Sequence, residues 1–537
     1  MTTALSRRDF ARLAAGGAAA LAARPRARAE ETAVKRPNIV LIMADDMGFS
    51  DAGCYGGEIA TPNLNRLAAE GIRFSQFYNC ALCGPSRAAL MTGIFHHQAG
   101  IPSSWTGLLN KRCATIPELL NQAGYLTGAV GRLDMTTADN WHDPAMVRRH
   151  IPRFFGSVGG KGPGNYFKAV RDSFFYRDGA PYELPAEDHY KTDAISGYAA
   201  NFIAEAARGA KPFFLYVAHY APHWPLHAKP EDIAKYRESY RAAGWDALRA
   251  RRHKRLVELG LADPNWALSP RDPQVPPWEK AQHKDWEAER MAVYAAQVDC
   301  MDQGIGRLLA ALRHGGVEYN TIVFFLSDNG ASHQAWERPL DQKDSTWRRD
   351  GTPTRVGNRP DIMPGPPDTF VTGGPPWANV SNTPFRQYKG TNYEGGIATP
   401  LIVRWPDAIR KGGAITHQVG HIMDLMPTCL DVAGVEYPRG FGGRTLLPLE
   451  GKSLLPILQG KERDGHETLC WDLAGNRAIR IGNWKLAALR GRPWELYDLA
   501  ADRTETRNLA AQEPARVAEM AAAYNRWARR VGATPST

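Results

Sequence analysis

The sequence lacks the features that define several large classes of protein. Beyond residue 29 it has no apolar run long enough to cross a bilayer. Its seven cysteines show no metal-finger spacing, and no internal repeat is present. The basic residues are not concentrated in one block, as they are in nucleic-acid binders. We therefore expect no stable membrane insertion and no nucleic-acid partner.

The composition is ordinary for a soluble globular protein. Hydrophobic residues make up 43% and charged residues 23% of the 537 residues. A chain of this length can bury a full core and is expected to form one large domain and a smaller one. The formal charge is +10, and removing the six Arg and one Asp of residues 1–29 leaves +5. This mild positive charge is compatible with a polyanionic substrate.

Residues 1–29 contain the three parts of a twin-arginine export signal in order. Ser6-Arg7-Arg8-Asp9-Phe10 precedes a weakly apolar run from Ala11 to Ala23, and the small-residue pattern Ala27-Arg28-Ala29 follows. A basic disordered tail is the alternative interpretation. We expect a bacterial protein that folds before export and is then periplasmic or secreted, so that any cysteine modification precedes export.

Apolar runs alternate with helical patterns along the chain, which predicts an α/β fold with a large, mostly parallel central sheet flanked by helices. We expect a catalytic domain over residues 30–446 and a smaller C-terminal α+β subdomain over residues 447–537. Residues 135–190 and 330–385 are predicted to be ordered insertions around the mouth of the site. The predicted strands are residues 38–43, 72–78, 126–130, 213–218, 321–326, 476–489 and 494–499, and the predicted helices are residues 61–70, 115–124, 194–207, 285–312 and 514–531.

Polar residues follow directly on three of these apolar strands. Asp45-Asp46, His223 and Asp328-Asn329 each lie where a predicted strand ends, and ligands of open parallel sheets bind at that edge. The three carboxylates and the Asn329 amide form an oxygen-only set that suits a hard divalent cation, Ca²⁺ in preference to Mg²⁺. An isolated Asp-Asp or Asp-Asn pair is more often a cap or a turn.

A reactive side chain lies at a predicted helix start in the stretch from Asn79 to Gly93. Pro85 suits the first turn of a helix, and Ala88 to Met91 are good helix formers. Cys83 therefore lies just before the helix N-terminus, with Arg87 one turn further on, where an oxyanion is favoured. Taken alone, this geometry predicts a nucleophilic thiol with a lowered pKa. A lone cysteine, however, is most often buried and inert.

The motif Cys83-Gly84-Pro85-Ser86-Arg87 resembles that of the sulfatase family, in which the cysteine of Cys-x-Pro-x-Arg is oxidised to formylglycine after translation. The resemblance implies an alkaline-phosphatase-like fold, and maturation by a formylglycine-generating enzyme. The further matching segments are Pro37-Asn38-Ile39-Val40, Asp45-Asp46, Leu90-Met91-Thr92-Gly93, Pro222-His223-Trp224-Pro225, Leu326-Ser327-Asp328-Asn329-Gly330, Phe385-Arg386-Gln387-Tyr388-Lys389-Gly390, Tyr393-Glu394-Gly395-Gly396, Trp484-Lys485-Leu486 and Leu496-Tyr497-Asp498-Leu499.

The resemblance also implies a role for each matching residue. Cys83, as hydrated formylglycine, would attack sulfur, with Asp328 favouring its deprotonation and Arg87 holding the hydrate in place. Lys389 and a further cation would neutralise the sulfate oxygens. His223 would assist or protonate the departing alcohol. The ligands of the metal ion would be Asp45, Asp46, Cys83, Asp328 and Asn329.

One segment departs from the family pattern. The family commonly has Gly-Lys-x-His after a Gly-Tyr-x-Thr strand, whereas here Gly124-Tyr125-Leu126-Thr127 leads to Gly131-Arg132-Leu133-Asp134. Arg132 can still bind a sulfate oxygen, even through two N–H groups, although it is not equivalent to Lys. Asp134 cannot act as a neutral imidazole. If the family's histidine removes the proton that lets the sulfated intermediate collapse, this enzyme uses Asp134 as the base, recruits another group or turns over slowly. Our hypothesis is that Asp134 is either that substitute base or an ion-pair partner of Arg132.

The sequence thus predicts a sulfuric ester hydrolase that releases inorganic sulfate. Export, mild basicity and Trp-bearing insertions favour a sulfated carbohydrate as substrate, with simple aryl or alkyl sulfates as alternatives. Two other functions remain open at this point. One is a phosphate or phosphonate ester hydrolase of the same architecture, and the other is a weakened sulfated-glycan-binding protein, which the departure at Arg132 and Asp134 motivates.

Overall fold

The computed structural model describes residues 36–103, 107–135, 151–157, 164–168, 175–185, 189–335 and 351–535. The predicted export signal lies outside the described residues, as do parts of the predicted insertions at 135–190 and 330–385. Among the residues that are described, no helix combines the length and the apolarity needed to cross a membrane.

The strands of the described residues fall into one large sheet and several small ones. In chain order they are β1 (Asn38–Asp45), β2 (Ile72–Phe74), β3 (Phe77–Tyr78), β4 (Leu126–Arg132), β5 (Arg153–Ser157), β6 (Phe175–Arg177), β7 (Ala180–Tyr182), β8 (Phe213–Pro222), β9 (Thr321–Ser327), β10 (Arg355–Val356), β11 (Thr369–Phe370), β12 (Leu401–Arg404), β13 (Ala414–Thr416), β14 (Gly420–His421), β15 (Gly440–Phe441), β16 (Arg444–Thr445), β17 (Thr468–Leu473), β18 (Asn476–Ile481), β19 (Trp484–Ala488) and β20 (Glu495–Asp498).

The helices of the described residues pack on and around the large sheet. They are α1 (Pro62–Glu70), α2 (Cys83–Thr92), α3 (Ile116–Gln122), α4 (Lys191–Ala206), α5 (Pro230–Ala234), α6 (Arg237–Glu258), α7 (Lys284–His314), α8 (Gly374–Ser381), α9 (Glu394–Ile397), α10 (Leu425–Ala433), α11 (Leu455–Leu458) and α12 (Pro514–Val531), with short 3₁₀ turns at Gly53–Tyr55, Trp278–Lys280 and Ile422–Asp424.

The large sheet has ten strands in the order β13-β2-β12-β9-β1-β8-β4-β5-β6-β7. Its centre is parallel, because β1 pairs in parallel with β8 and β9, and β4 pairs in parallel with β8 and β5. Strands β12, β6 and β7 run antiparallel to their neighbours. All eight residues of β1 are buried, as expected of an apolar strand covered on both faces. The predicted α/β class with a mostly parallel sheet is confirmed.

The parallel register brings the ends of four strands to one edge of the sheet. Asp45 lies opposite Pro222, and Ala44 lies opposite Ser327. On the next strand, Gly131 lies opposite Ala218. The polar residues that follow β1, β4, β8 and β9 therefore come together, although they are distant in the sequence.

Some local predictions differ from the structure. Residues 72–78, predicted as one strand, form two, since β2 joins the large sheet whereas β3 pairs with β14. The sequence analysis did not identify α6, in which Gly244 breaks the helical backbone with φ 62°. The helix around Cys83 begins at Cys83 itself rather than just after it.

The C-terminal region contains the expected antiparallel strands and terminal helix. Strands β17, β18, β19 and β20 form a four-stranded antiparallel sheet in sequential order. Helix α12 buries Met520, Tyr524 and Trp527. Strand β17 was not predicted. The division at residues 446 and 447 stays a prediction.

Candidate active site

Cys83 is the first residue of α2, a helix whose ten residues are all buried. Its preceding residue, Leu82, is extended, and Gly93 ends the helix with φ 70°. Arg132 Nη2 donates to Cys83 Sγ at 3.7 Å. Burial raises the pKa of the Cys83 thiol to about 12 and outweighs the opposing effects of Lys389 and Arg132. The lowered thiol pKa that the helix start alone predicts is therefore wrong for the unmodified residue.

Arg87 is fully buried and ties together the strand ends that face Cys83. Its Nε and Nη2 donate to Asp328 Oδ2 at 3.1 and 2.7 Å, and Nη2 also contacts Asp45 Oδ2 at 3.2 Å. Its Nη1 donates to the carbonyl oxygen of Arg132 at 2.6 Å. Through these bonds one guanidinium fixes the ends of β1, β4 and β9.

Arg132 lies between two carboxylates. Its Nη1 donates to Asp45 Oδ2 at 2.6 Å, and its Nη2 donates to Asp134 Oδ2 at 3.1 Å. Burial alone would raise the pKa of Asp45, but Arg132, together with His223 and Arg87, holds it well below its usual range. Asp134 has a left-handed backbone with φ 51°. The structure therefore contains the predicted ion pair between Arg132 and Asp134.

Asp46 accepts a hydrogen bond from Lys389 and is its ion-pair partner. Asp46 Oδ1 accepts from Lys389 Nζ at 2.5 Å and from Asn329 Nδ2 at 2.7 Å. The backbone N–H of Asp46 donates to Asp328 Oδ1 at 3.2 Å. Burial would lower the pKa of Lys389, but the negative charge of Asp46 and the groups around it raise the pKa instead. Lys389 is thus a buried cation and not a solvated surface lysine.

Asp328 is surrounded by donors and by other carboxylates. Burial, followed by the negative charge of Asp45, raises the pKa of Asp328 despite the nearby Arg87 guanidinium. Asp45 and Asp328 are close enough that both do not ionise readily unless further positive charge is supplied.

His223 follows β8 directly and presents one ring nitrogen to the carboxylate cluster. Nε2 lies 3.5 Å from Asp46 Oδ2, and Nδ1 lies 2.6 Å from the carbonyl oxygen of Trp224. Since a carbonyl only accepts, the geometry assigns a hydrogen to Nδ1 and leaves Nε2 as the functional nitrogen. Burial lowers the pKa of His223 to about 4.

The site contains buried oxygens that suit a metal ion. Asp45 Oδ1, Asp46 Oδ2 and Asn329 Oδ1 have no hydrogen-bond partner among the described residues. Ligand atoms of Asp45, Asp46 and His223 lie within 4.8 Å of one another. Buried polar atoms are rarely left unpaired, and two carboxylate oxygens with one amide oxygen fit a hard divalent cation. The sequence analysis predicted His223 at the same edge of the sheet but did not include it among the metal ligands.

Three tyrosines support the site from behind, and the sequence analysis missed them. Tyr216 OH accepts from Arg87 Nη1 at 3.3 Å, and Tyr166 OH donates to the carbonyl oxygen of His223 at 2.8 Å. Tyr294 OH contacts the carbonyl oxygen of Asp46 at 3.2 Å. They lie in a strand, an insertion and a long helix, without a local motif. No sequence signal separates them from ordinary core tyrosines.

Known proteins of one family resemble this chain over most of its length. A family model described as Sulfatase matches residues 37–435, and one described as N-sulphoglucosamine sulphohydrolase, C-terminal, matches residues 387–525. The chain is 33% identical to an uncharacterized sulfatase of Schizosaccharomyces pombe, over 89% of this chain and 91% of that protein. It is 32% identical to the arylsulfatase of Klebsiella aerogenes, over 80% of this chain and 93% of that enzyme. The solved structure of Ps i-CgsB in complex with k-i-k-neocarrahexaose has a TM-score of 0.66 at 25% identity and covers 92% of both chains.

The chain therefore belongs to the sulfatase family and has its alkaline-phosphatase-like fold. It is an enzyme, a sulfatase, and the reaction of the family is the hydrolysis of sulfate esters. The nine residues that the sequence analysis assigned to the site all lie in one buried cluster, joined by the contacts described above: Asp45, Asp46, Cys83, Arg87, Arg132, His223, Asp328, Asn329 and Lys389.

Proposed function

We propose that this sulfatase works through a formylglycine made from Cys83, beside a divalent cation, with Ca²⁺ favoured over Mg²⁺. The observation that carries the proposal is the set of buried, unpartnered oxygens on Asp45, Asp46 and Asn329, close to a Cys-x-Pro-x-Arg cysteine. Together with Asp328 and the modified residue 83, these would hold the ion. When bound, the ion would polarise a sulfate oxygen, and the aldehyde hydrate would supply the nucleophilic hydroxyl.

The chain's own cations would hold the sulfate group. Lys389 and Arg132 are the two cations whose charges act most strongly on Cys83. Both are buried, so their charges act in a medium of low dielectric constant and stabilise the negative charge that grows on the sulfate oxygens. Arg87 contributes indirectly, because it holds Asp45 and Asp328 in place.

His223 is the proposed general acid for the departing alcohol. Its Nδ1 is held by the Trp224 carbonyl, and this contact fixes the ring so that Nε2 faces the cluster. Since Nδ1 already carries the hydrogen of the neutral ring, acid action requires the imidazolium form, which burial makes the minor form at neutral pH. The second proton, on Nε2, would then pass to the alcohol oxygen as the ester bond breaks.

We propose a sulfated carbohydrate as the substrate class. The saccharide bound in the related structure of Ps i-CgsB supports this assignment, whereas the arylsulfatase relative favours the alternative of an aryl sulfate. Sulfate release measured across defined sulfated sugars and a simple aryl sulfate decides between them. Faster turnover of the aryl sulfate than of every sugar, compared as kcat/KM, would overturn the carbohydrate assignment.

The nucleophile is tested by the mass of the peptide that contains residue 83. Protein made together with a formylglycine-generating enzyme should show formylglycine at this position and release sulfate, and Cys83→Ala should release none. Cys80→Ala, a buried cysteine outside the motif, is the matched control and should keep activity. Full activity in protein whose Cys83 is an unmodified thiol would contradict the mechanism.

We also propose that residues 1–29 direct export through the twin-arginine route, after maturation by the formylglycine-generating enzyme in the cytoplasm. Replacing Arg7 and Arg8 together by Lys should retain the mature enzyme in the cytoplasm. Unchanged export of this double variant, measured by fractionation, would contradict the proposal.

A further inference from the structure

The backbone of Lys389 is fixed to two parts of the site. The N–H of Lys389 donates to the carbonyl oxygen of Ala331 at 3.2 Å, just beyond Asn329. The N–H of Gly390 donates to the carbonyl oxygen of Ala81 at 2.8 Å, in the loop before Cys83. The position of Lys389 is therefore set by the segment in which it lies, residues 386–399, and by what holds that segment.

Helix α9, within the same segment, packs against Gly330 without free space. Gly330 N–H donates to the carbonyl oxygen of Gly396 at 3.1 Å. A Cβ atom on Gly330 would lie 1.8 Å from the carbonyl oxygen of Gly395, and one on Gly395 would lie 2.3 Å from that of Gln387. A shift of α9 therefore has to displace the strand end at Gly330, the turn at Gln387, or both.

The side chain of Glu394, the first residue of α9, is held from the C-terminal region. It is fully buried and accepts from Lys485 Nζ at 2.9 Å, from Arg503 Nε at 2.8 Å and from Tyr78 OH at 3.0 Å. Lys485 lies in β19 and is itself fully buried. Through Lys485 and Glu394, the C-terminal sheet thus contacts and holds the segment 386–399, which contains Lys389.

A second carboxylate closes this cluster. Glu505 Oε2 accepts from the N–H of Glu394 at 2.8 Å, and Glu505 Oε1 lies 2.7 Å from Lys485 Nζ. Lys485 therefore contacts two buried carboxylates, Glu394 and Glu505, and shares the balancing of their charge with Arg503. Without the charge of Lys485, Arg503 alone would face two buried carboxylates in a medium of low dielectric constant, and α9 would have to move to separate or hydrate them.

We propose that Lys485 and Glu394 are positioning residues, through which the C-terminal sheet holds Lys389 against Asp46 and the sulfate group. The inference rests on the proposed role of Lys389 as a sulfate-binding cation. Two further bonds reinforce the same link, because Asn476 Nδ2 donates to the carbonyl oxygen of Gly390 at 2.7 Å and Asn392 Nδ2 donates to that of Asn476 at 2.8 Å.

The experiment is a double-mutant cycle in the matured, full-length enzyme with the metal ion present. The variants are Lys485→Met, Lys389→Met and the two combined, and the measurements are kcat, KM and the formylglycine content of each. Lys485→Met should lower kcat roughly 10- to 100-fold, since a displacement of about 1 Å has an effect of that order. KM should change much less, because Lys389 acts mainly on charge that develops in the transition state.

In the Lys389→Met background, Lys485→Met should lower kcat no further, because the residue through which it acts is gone. Lys485→Arg keeps the charge and should restore most of the activity. Arg516→Met is the matched control, since Arg516 lies over Trp484 in the same C-terminal region and should leave kcat unchanged.

Equal losses of kcat from Lys485→Met in both backgrounds would overturn the inference, and so would an unchanged kcat in the otherwise wild-type enzyme. An unchanged kcat in Lys389→Met alone would instead refute the proposed role of Lys389. If Lys485→Met does not fold, Glu394→Gln, which retains the shape of the side chain, is used in the same cycle and decides in the same way.

Discussion

Replacing Asp134 by Asn removes one carboxylate beside residue 83 and keeps the backbone as it is. Asp134 has φ 51°, a left-handed conformation that Asn accepts readily and that strains Ala. Arg132 Nη2 lies 3.1 Å from Asp134 Oδ2 and 3.7 Å from Cys83 Sγ, so a single guanidinium nitrogen separates the carboxylate from the reacting position. Asp134→Asn therefore tests the chemistry of the carboxylate without a change of fold.

The two roles of Asp134 predict different kinetics. A general base contributes about 10²- to 10⁴-fold, which corresponds to about 3 to 5 kcal/mol of activation free energy. If Asp134 is the base that releases sulfate, kcat should fall by that factor and sulfate should remain bound to residue 83. If Asp134 only orients Arg132, kcat should fall by much less than this and no sulfate should remain on residue 83, since Arg132 keeps its 2.6 Å contact with Asp45.

The assay combines steady-state kinetics with the mass of the peptide that carries residue 83, measured on enzyme quenched during turnover. Arg132→Lys is the comparison variant, because it perturbs the same ion pair and leaves the carboxylate in place. An Asp134→Asn enzyme with the kcat of the wild type and no retained sulfate would refute the assignment of Asp134 as the base.

Three other predictions follow from the buried charges. Removing divalent ions with a chelator should abolish sulfate release and lower the midpoint temperature of unfolding, because the carboxylates of Asp45, Asp46 and Asp328 are left close together. Ca²⁺ should restore both properties better than Mg²⁺, and equal recovery with either ion would contradict the preference for Ca²⁺. Arg87→Met should lower the free energy of unfolding by about 3–5 kcal/mol in urea, since it leaves the buried Asp328 without its guanidinium partner and removes one of the two that contact Asp45. Arg439→Met at an exposed site is the control. Burial would raise the pKa of Asp424, but His466 and Arg463 outweigh it and lower the pKa to about 2. The ionised carboxylate should therefore add about 2 kcal/mol to the free energy of unfolding above pH 4, and this contribution should be lost as the pH falls toward 2. Asp424→Asn should therefore flatten the pH dependence of unfolding in that interval, and an unchanged slope would contradict this account.

The sequence predicted the elements that carry strong local signals. The apolar runs at β1, β8 and β9 and the polar residues that follow them were sufficient to predict a common edge at Asp45, His223 and Asp328. Parallel pairing fixes where strand ends meet, so residues far apart in the chain converge by a general rule. The assignment of individual roles depended on the family motif and not on residue patterns.

Other features could not be predicted, because they depend on tertiary contacts. The thiol pKa at Cys83 is set by burial of the whole helix, whereas local sequence shows only the favourable helix start. The supporting tyrosines and the contact of Lys485 with Glu394 join residues whose separation in the chain carries no periodic signal. The buried face of α6 includes Arg249 and Arg252, which a search for apolar periodicity does not count as core positions.

The burial of Cys83 bears on the order in which modification and folding take place. Only 3% of Cys83 is exposed, and all ten residues of α2 are buried. In the folded protein this side chain is therefore out of reach of a modifying enzyme. If Cys83 is converted to formylglycine as proposed, the oxidation would have to occur while this stretch is still unfolded, and it would compete in time with folding. Under that mechanism a molecule that folds first would be a stable but inactive protein, so the active fraction of a preparation would reflect the ratio of the oxidation and folding rates and not the stability of the fold.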